Sequence, residues 1–214
     1  MKSMTTLKCL SAAMALAWAA PTPSEAALVL VNGLVYDTDR NITFLQNSNL
    51  AATQTFGVLG ISGSGYMDWN TANQYIAAMN AANYMGFNTW RLPHSSDNPG
   101  YNNNSVLDEM SHLYYMELGG TAAGGLGTTG PFLNLPTDVW SDHTASWNSG
   151  TAFFFSFGAT ITAGYQTAAW KHLGSYAVWP VLDGDATPEP ARMAMLALGL
   201  SGLGLRRRRG GTSR

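Results

Sequence analysis

Asp68 to Pro93 reads DWNTANQYIAAMNAANYMGFNTWRLP and holds the clearest helix signal in the chain. The Asp68 carboxylate can accept the free N–H groups of a first helical turn. Trp69, Ala72, Ile76 and Met79 then recur at spacings of three, four and three, which places them on one helical face. Asn70, Asn73, Asn80 and Asn83 fall mostly elsewhere. The pattern predicts a helix from Trp69 to about Met85, with Gly86 as the stop. Trp90-Arg91-Leu92-Pro93 follows shortly after, with Arg91 between two large apolar side chains. A guanidinium buried there must be paired.

Outward from this stretch the chain reads as short strands and loops. Ala27 to Asp37, ALVLVNGLVYD, has two apolar runs flanking Asn32-Gly33, a strong hairpin-turn signal. Asp37-Thr38-Asp39 followed by Ile42 to Leu45 predicts a second turn and strand. Asn47 to Ser64 is polar and Gly-rich, a loop with a short strand expected at Phe56 to Leu59. Phe153-Phe154-Phe155 cannot all point one way, so both faces of that strand should be covered.

Asp68-Trp69, the helix, and Trp90-Arg91-Leu92-Pro93 together resemble the DUF1566 domain, also called the Lcl C-terminal domain. Asp108 to Gly120, DEMSHLYYMELGG, resembles the second helix of the subset of that family that travels with PEP-CTERM tails, and Val139-Trp140-Ser141 resembles the family's aromatic-Trp-Ser strand. Ala152 to Phe157, Gly164 to Trp170 and Tyr176 to Val181 complete the order, so the likeness covers roughly Leu34 to Asp185. The resemblance implies an α+β fold like that of C-type lectins and formylglycine-generating enzymes, with two helices and an antiparallel sheet. One position departs from the family. Trp179 stands where the family usually carries arginine in its final strand.

The two ends read as addresses. Lys2 and Lys8 precede an apolar run from Leu10 to Ala20, Pro21 and Pro23 break the helix, and Ser24-Glu25-Ala26 places signal-peptide cleavage after Ala26. Sec export machinery and signal peptidase are the partners this implies. At the other end, Pro188, Glu189 and Pro190 form an extended segment, because each proline fixes its own φ and Pro190 restricts Glu189. Ala191 to Leu205 is almost wholly apolar, and Arg206, Arg207, Arg208 and Arg209 stay cytoplasmic by the positive-inside rule. As a helix this run spans only about 22 Å against a hydrocarbon core of about 30 Å, which suits a transient membrane anchor that is later cut. The three parts in order resemble the PEP-CTERM sorting signal on which bacterial exosortases act. The chain therefore divides into a signal peptide (1–26), a DUF1566-like domain (27–186), a sorting signal with a short transmembrane helix (187–209) and a tail (210–214). The expected location is the inner membrane before processing, then the outer surface or extracellular matrix.

Without its ends the body is acidic. Residues 27–186 keep Arg40, Arg91 and Lys171 against eleven Asp and Glu, a net charge of −8. Nucleic acid is disfavoured as a partner, because its binding needs lysine and arginine to displace counterions. Neutral sugars stacked on aromatic rings, or a hard cation, remain compatible. The body has no cysteine and must rely on its core, to which six tryptophans contribute.

Four places could carry chemistry. Arg91 reads first as a structural donor to a carboxylate such as Asp68 or Glu109, and second as a ligand-holding group. Glu109 and His112 stand three apart on the second helix, with Ser105 as a possible cap, a spacing used in carboxylate metal sites. His94 and His143 are available as further ligands, but no HExxH or cysteine pair supports zinc, and a hydrogen-bonded structural histidine is favoured. The loop Asp97 to Asn104, with Asp97 and Asn102, could hold calcium through oxygen ligands, although a surface turn is the default. Ser141, Asp142 and His143 are neighbours in a strand and point to opposite faces, so a hydrolase triad is not expected. The chain reads as a non-enzymatic surface protein binding glycan or protein in an exopolysaccharide layer. A secreted enzyme with an unrecognised metal or carboxylate site and a purely structural coat protein are the alternatives.

Overall fold

The computed structural model describes residues 28–158 and 160–187. Asn32 and Gly33 take φ of 50° and 82° and join β1 (Leu28–Val31) to β2 (Leu34–Asp37). Positive φ at both turn residues matches the right-handed twist of the flanking strands. At the far end of β2, Asp37 Oδ1 accepts the N–H groups of Asp39 and Arg40 at 2.9 and 3.0 Å. That side-chain turn sends the chain back as β3 (Ile42–Leu45), which pairs with β9 (Val181–Asp183). The first sheet is β1-β2-β3-β9, antiparallel throughout.

A second sheet holds β4 (Tyr66–Met67), β5 (Asp138–Thr144), β6 (Thr151–Ser156), β7 (Gln166–Trp170) and β8 (Tyr176–Ala177), in the order β4-β8-β5-β6-β7. It is mixed, because β5 and β8 are parallel through Val139 and Ala177. The α+β class stands, but the single antiparallel sheet is corrected to two sheets. The run Tyr176 to Val181, expected as one strand, serves both. Its first part pairs in the second sheet, Val178 to Pro180 cross over, and Val181 begins the strand beside β3. Trp179 lies fully buried in this crossover against Phe44, Phe132 and Phe157, and its indole N–H donates to Leu45 O at 2.9 Å. An aromatic core thus occupies the position where the resemblance implies a charge.

Helix α1 (Trp69–Ala81) starts as expected, with Thr71 N–H donating to Asp68 Oδ1 at 2.7 Å. It ends short of Met85, because Asn83 turns left-handed and a 3-10 turn follows at Tyr84–Gly86. Asn80 holds the next segment in place, donating to Trp90 O at 2.9 Å and accepting Trp90 N–H at 2.8 Å. No strand forms at Phe56 to Leu59. Phe56 and Gly57 both take positive φ in a turn, and Phe56 packs on Tyr75 and Tyr84 instead.

The second helix is shorter than expected. Asp108, rather than Ser105, precedes α2 (Glu109–His112), and Ser105 Oγ instead accepts Leu107 N–H. A π-helical turn at Leu113–Glu117 continues the coil, with Leu118 N–H donating five residues back to Leu113 O at 3.0 Å. Residues five apart diverge by about 140° on an α-helix. The wider π turn draws His112 and Glu117 toward one side.

Strand alternation divides the core in two. Leu34, Leu45, Trp140 and Leu182 pack with α1 in one cluster. Their neighbours Val35, Phe44, Val139 and Val181 pack with the residues around α2 in the other. The inner strands β2, β3 and β6 are therefore covered on both faces, and the edge strands β1 and β7 less so. Phe154 joins the first cluster and Phe155 the second. Ala26, Pro188, Glu189, Pro190 and Arg206 to Arg209 lie outside the described residues. Among the described residues no helix is long and apolar enough to cross a membrane.

Candidate functional site

Arg91 lies beside β9, paired with Val181 in an isolated antiparallel bridge, and this fixes where its side chain reaches. Its guanidinium makes a two-pronged contact with Glu109, at 2.9 and 2.7 Å, and donates to Asp183 Oδ1 and to Leu92 O. Burial works against the Arg91 charge, but the hydrogen bonds to Glu109 and Asp183 outweigh it and raise its pKa. The same guanidinium holds the Asp183 carboxyl below the usual range. Glu109 Oε2 also accepts His94 N–H at 2.8 Å, so both of its oxygens are engaged. Of the two carboxylates expected for Arg91, Glu109 takes it and Asp68 caps α1. Pro93 O accepts Asp142 N–H at 3.0 Å, which docks the Trp90–Pro93 segment on β5.

The metal pair read from spacing, Glu109 with His112, is not assembled. Glu109 faces Arg91, while His112 Nε2 lies 3.2 Å from Glu117 Oε1 and 3.5 Å from Asp37 Oδ2. Burial pushes the His112 imidazole below its usual pKa, against the pull of Asp37. Burial, reinforced by repulsion from Asp37 and Asp39, pushes Glu117 up to about 7. Asp37 Oδ2, His112 Nε2 and Glu117 Oε1 are all sealed from solvent without a hydrogen-bond partner. His112 also lines a cavity of about 200 Å³ with Arg40, Asn102, Asn103, Ser111 and Tyr115. The spacing of Glu109 and His112 marked the right helix but the wrong partner. Asp37 and Glu117 had no local signal beyond being acidic.

The loop considered for calcium is held by its own contacts. Asp97 accepts Ser146 N–H and lies 3.3 Å from His143, and hydrogen bonding to Ser146 keeps its pKa low. Asn98 and Asn103 hydrogen-bond to each other, and Asn102 takes a left-handed φ of 53°. His94 pairs with Asp142, whose carboxyl burial raises despite that histidine. Ser141 Oγ bonds to Ser95 Oγ, donates to Phe153 O and accepts the backbone N–H of His143.

Two tryptophans stand out from the core. Trp90, Trp140 and Trp179 are buried, and Trp69 is half-buried with its N–H on Ser141 O and Lys171 over its ring at 4.2 Å. Trp147 is 58% exposed and Trp170 51%. Pairing of Thr151 with Trp170 and of Phe153 with Ala168 puts Thr151, Phe153, Ala168 and Trp170 on one face of the β6-β7 hairpin. Trp147 packs edge-on against Phe153 at 5.5 Å, so it covers the same face. Trp170 leans over Gly150, where an added Cβ would meet its ring at 3.1 Å. His143 also packs on Phe153. Sequence reasoning placed aromatics on these strands but could not tell which ones were uncovered.

No family model matches this chain, and neither a curated protein nor a solved structure matches it.

Proposed function

We propose that the chain is an exported, non-enzymatic surface protein whose body is a lectin-like module for neutral glycan. The observation that carries the binding reading is the pair Trp147 and Trp170, half-exposed over one face of the β6-β7 hairpin, while Trp90, Trp140 and Trp179 are buried and Trp69 is half-buried. Indole faces stack on the C–H faces of sugar rings, which need no charge from the protein. That suits a body with three basic groups and a net charge of −8. Delivery rests on the two ends, with cleavage after Ala26 and exosortase action at Pro188-Glu189-Pro190. The ordered motifs Trp69, Trp90 to Pro93 and Trp140 support the lectin-like relationship.

Full-length protein in mild detergent should bind a subset of neutral glycans on an array. Trp147→Ala and Trp170→Ala should each weaken that binding by up to about tenfold, the worth of one stacked ring. Unchanged binding in the double variant would sink the stacking role. Intact-mass measurement of native envelopes, with and without active exosortase, checks delivery. A chain that keeps both ends in each case overturns it.

A further inference from the structure

We propose that Asp37, His112 and Glu117 form a binding site for a first-row divalent cation, with Zn²⁺ or Mn²⁺ the best match to two carboxylates and one imidazole. The inference is independent of the glycan reading.

Three observations converge. The ligand atoms Asp37 Oδ2, His112 Nε2 and Glu117 Oε1 lie within 4.8 Å of one another. Ligands about 2.0–2.2 Å from a tetrahedral zinc are about 3.4 Å apart. The separations of 3.2 and 3.5 Å from His112 Nε2 fall on that spacing. Next, each atom is sealed from solvent and lacks a hydrogen-bond partner, a costly arrangement for three polar atoms in one place. Their side chains are 1%, 8% and 2% exposed, respectively. Finally, the free oxygen of Asp37 is held in place by the bonds of the other one. Asp37 Oδ1 is fixed by Asp39 and Arg40 N–H groups, which leaves Oδ2 turned to the cluster.

Charge and donor type select the ion. With Glu117 ionised on the ion, Asp37, Asp39 and Glu117 set three negative charges beside the positive charge of Arg40, and a dication balances the excess. The neutral imidazole suits zinc and the two carboxylates suit manganese, whereas calcium takes six to eight oxygens. Three protein atoms leave a coordination position for water or a second carboxylate oxygen. The cluster ties the turn after β2 to α2 and its π turn, segments distant in sequence, so the bound ion stabilises the fold.

The test uses full-length protein without a polyhistidine tag, stripped with chelator and then dialysed against Zn²⁺, Mn²⁺ or Ca²⁺ separately. Zn²⁺ or Mn²⁺ should load at one ion per chain and raise the melting temperature, and Ca²⁺ should do neither. Glu117→Gln and His112→Gln should keep the far-UV spectrum of the stripped protein and lose at least tenfold in affinity. His94→Asn should load normally. Zinc X-ray absorption of the wild type gives a readout that needs no variant, and one imidazole among oxygen ligands is expected. Failure of both Zn²⁺ and Mn²⁺ to load stoichiometrically overturns the proposal. So does full loading of either Gln variant, or a zinc shell without an imidazole.

Discussion

Glu109 and His112 leave the same short helix three residues apart, yet they enter opposite electrostatic situations. Glu109 meets Arg91 and His94 N–H, and every strong donor in that network has an acceptor. His112 meets two carboxylates, and the atoms that face each other there have no hydrogen-bond partner. Arg91 supplies several hydrogen bonds from a rigid planar group, so its network is closed by the protein alone. The Asp37 cluster has acceptors and a lone pair, and the neighbouring cation Arg40 makes no hydrogen bond to the atoms that face each other there. A satisfied buried network belongs to the architecture, and a polar cluster left open is where an outside ion fits.

The largest expected effect breaks the closed side of this comparison. Glu109→Ala leaves a mostly buried guanidinium with only the exposed Asp183 as a carboxylate partner, and should cost about 3 kcal/mol in urea unfolding. A loss under about 1 kcal/mol would make this pair no stronger than an exposed one. On the open side, Glu117→Gln in chelator should change stability by about 1 kcal/mol or less, and in the stabilising direction. The amide removes a charge that burial and the neighbours Asp37 and Asp39 disfavour. A marked loss in chelator would mean that the Glu117 charge is already compensated within the protein.

The smallest effect concerns Asp183, whose side chain is 79% exposed. Asp183→Asn should cost under about 1 kcal/mol at neutral pH. Its folded pKa is depressed by Arg91, so its contribution is present above the unfolded carboxyl pKa of about 3.9. That contribution is lost as pH falls through the folded value. Unfolding curves from pH 6 down to about pH 2 should therefore converge for wild type and Asp183→Asn. Divergence at low pH would give Asp183 a role beyond the Arg91 pair.

Local signals were legible where the chemistry was local. Asn32-Gly33 marks its hairpin because few residues accept positive φ, and Asp68 marks the start of α1 because its carboxylate reaches a donor three residues on. The need for an Arg91 partner followed from its apolar neighbours. The π turn after His112, the exposure of Trp147 and Trp170, and the meeting of Asp37 with His112 had no such signal. Each depends on which segments pack together. The expected Glu109 and His112 pair failed for the same reason, since spacing gives the face of a residue but not what stands opposite it.

By itself the sequence determined the acidic, cysteine-free body, the basic and apolar ends, the first hairpin, the start of α1 and the α+β class. These follow from composition and from interactions within a few residues. Tertiary structure alone decided the split into two sheets at Val178 to Pro180, the partner of each charge and the rings left at the surface. Those outcomes depend on contacts between distant segments, whose geometry is set only when the two core clusters close around the sheets.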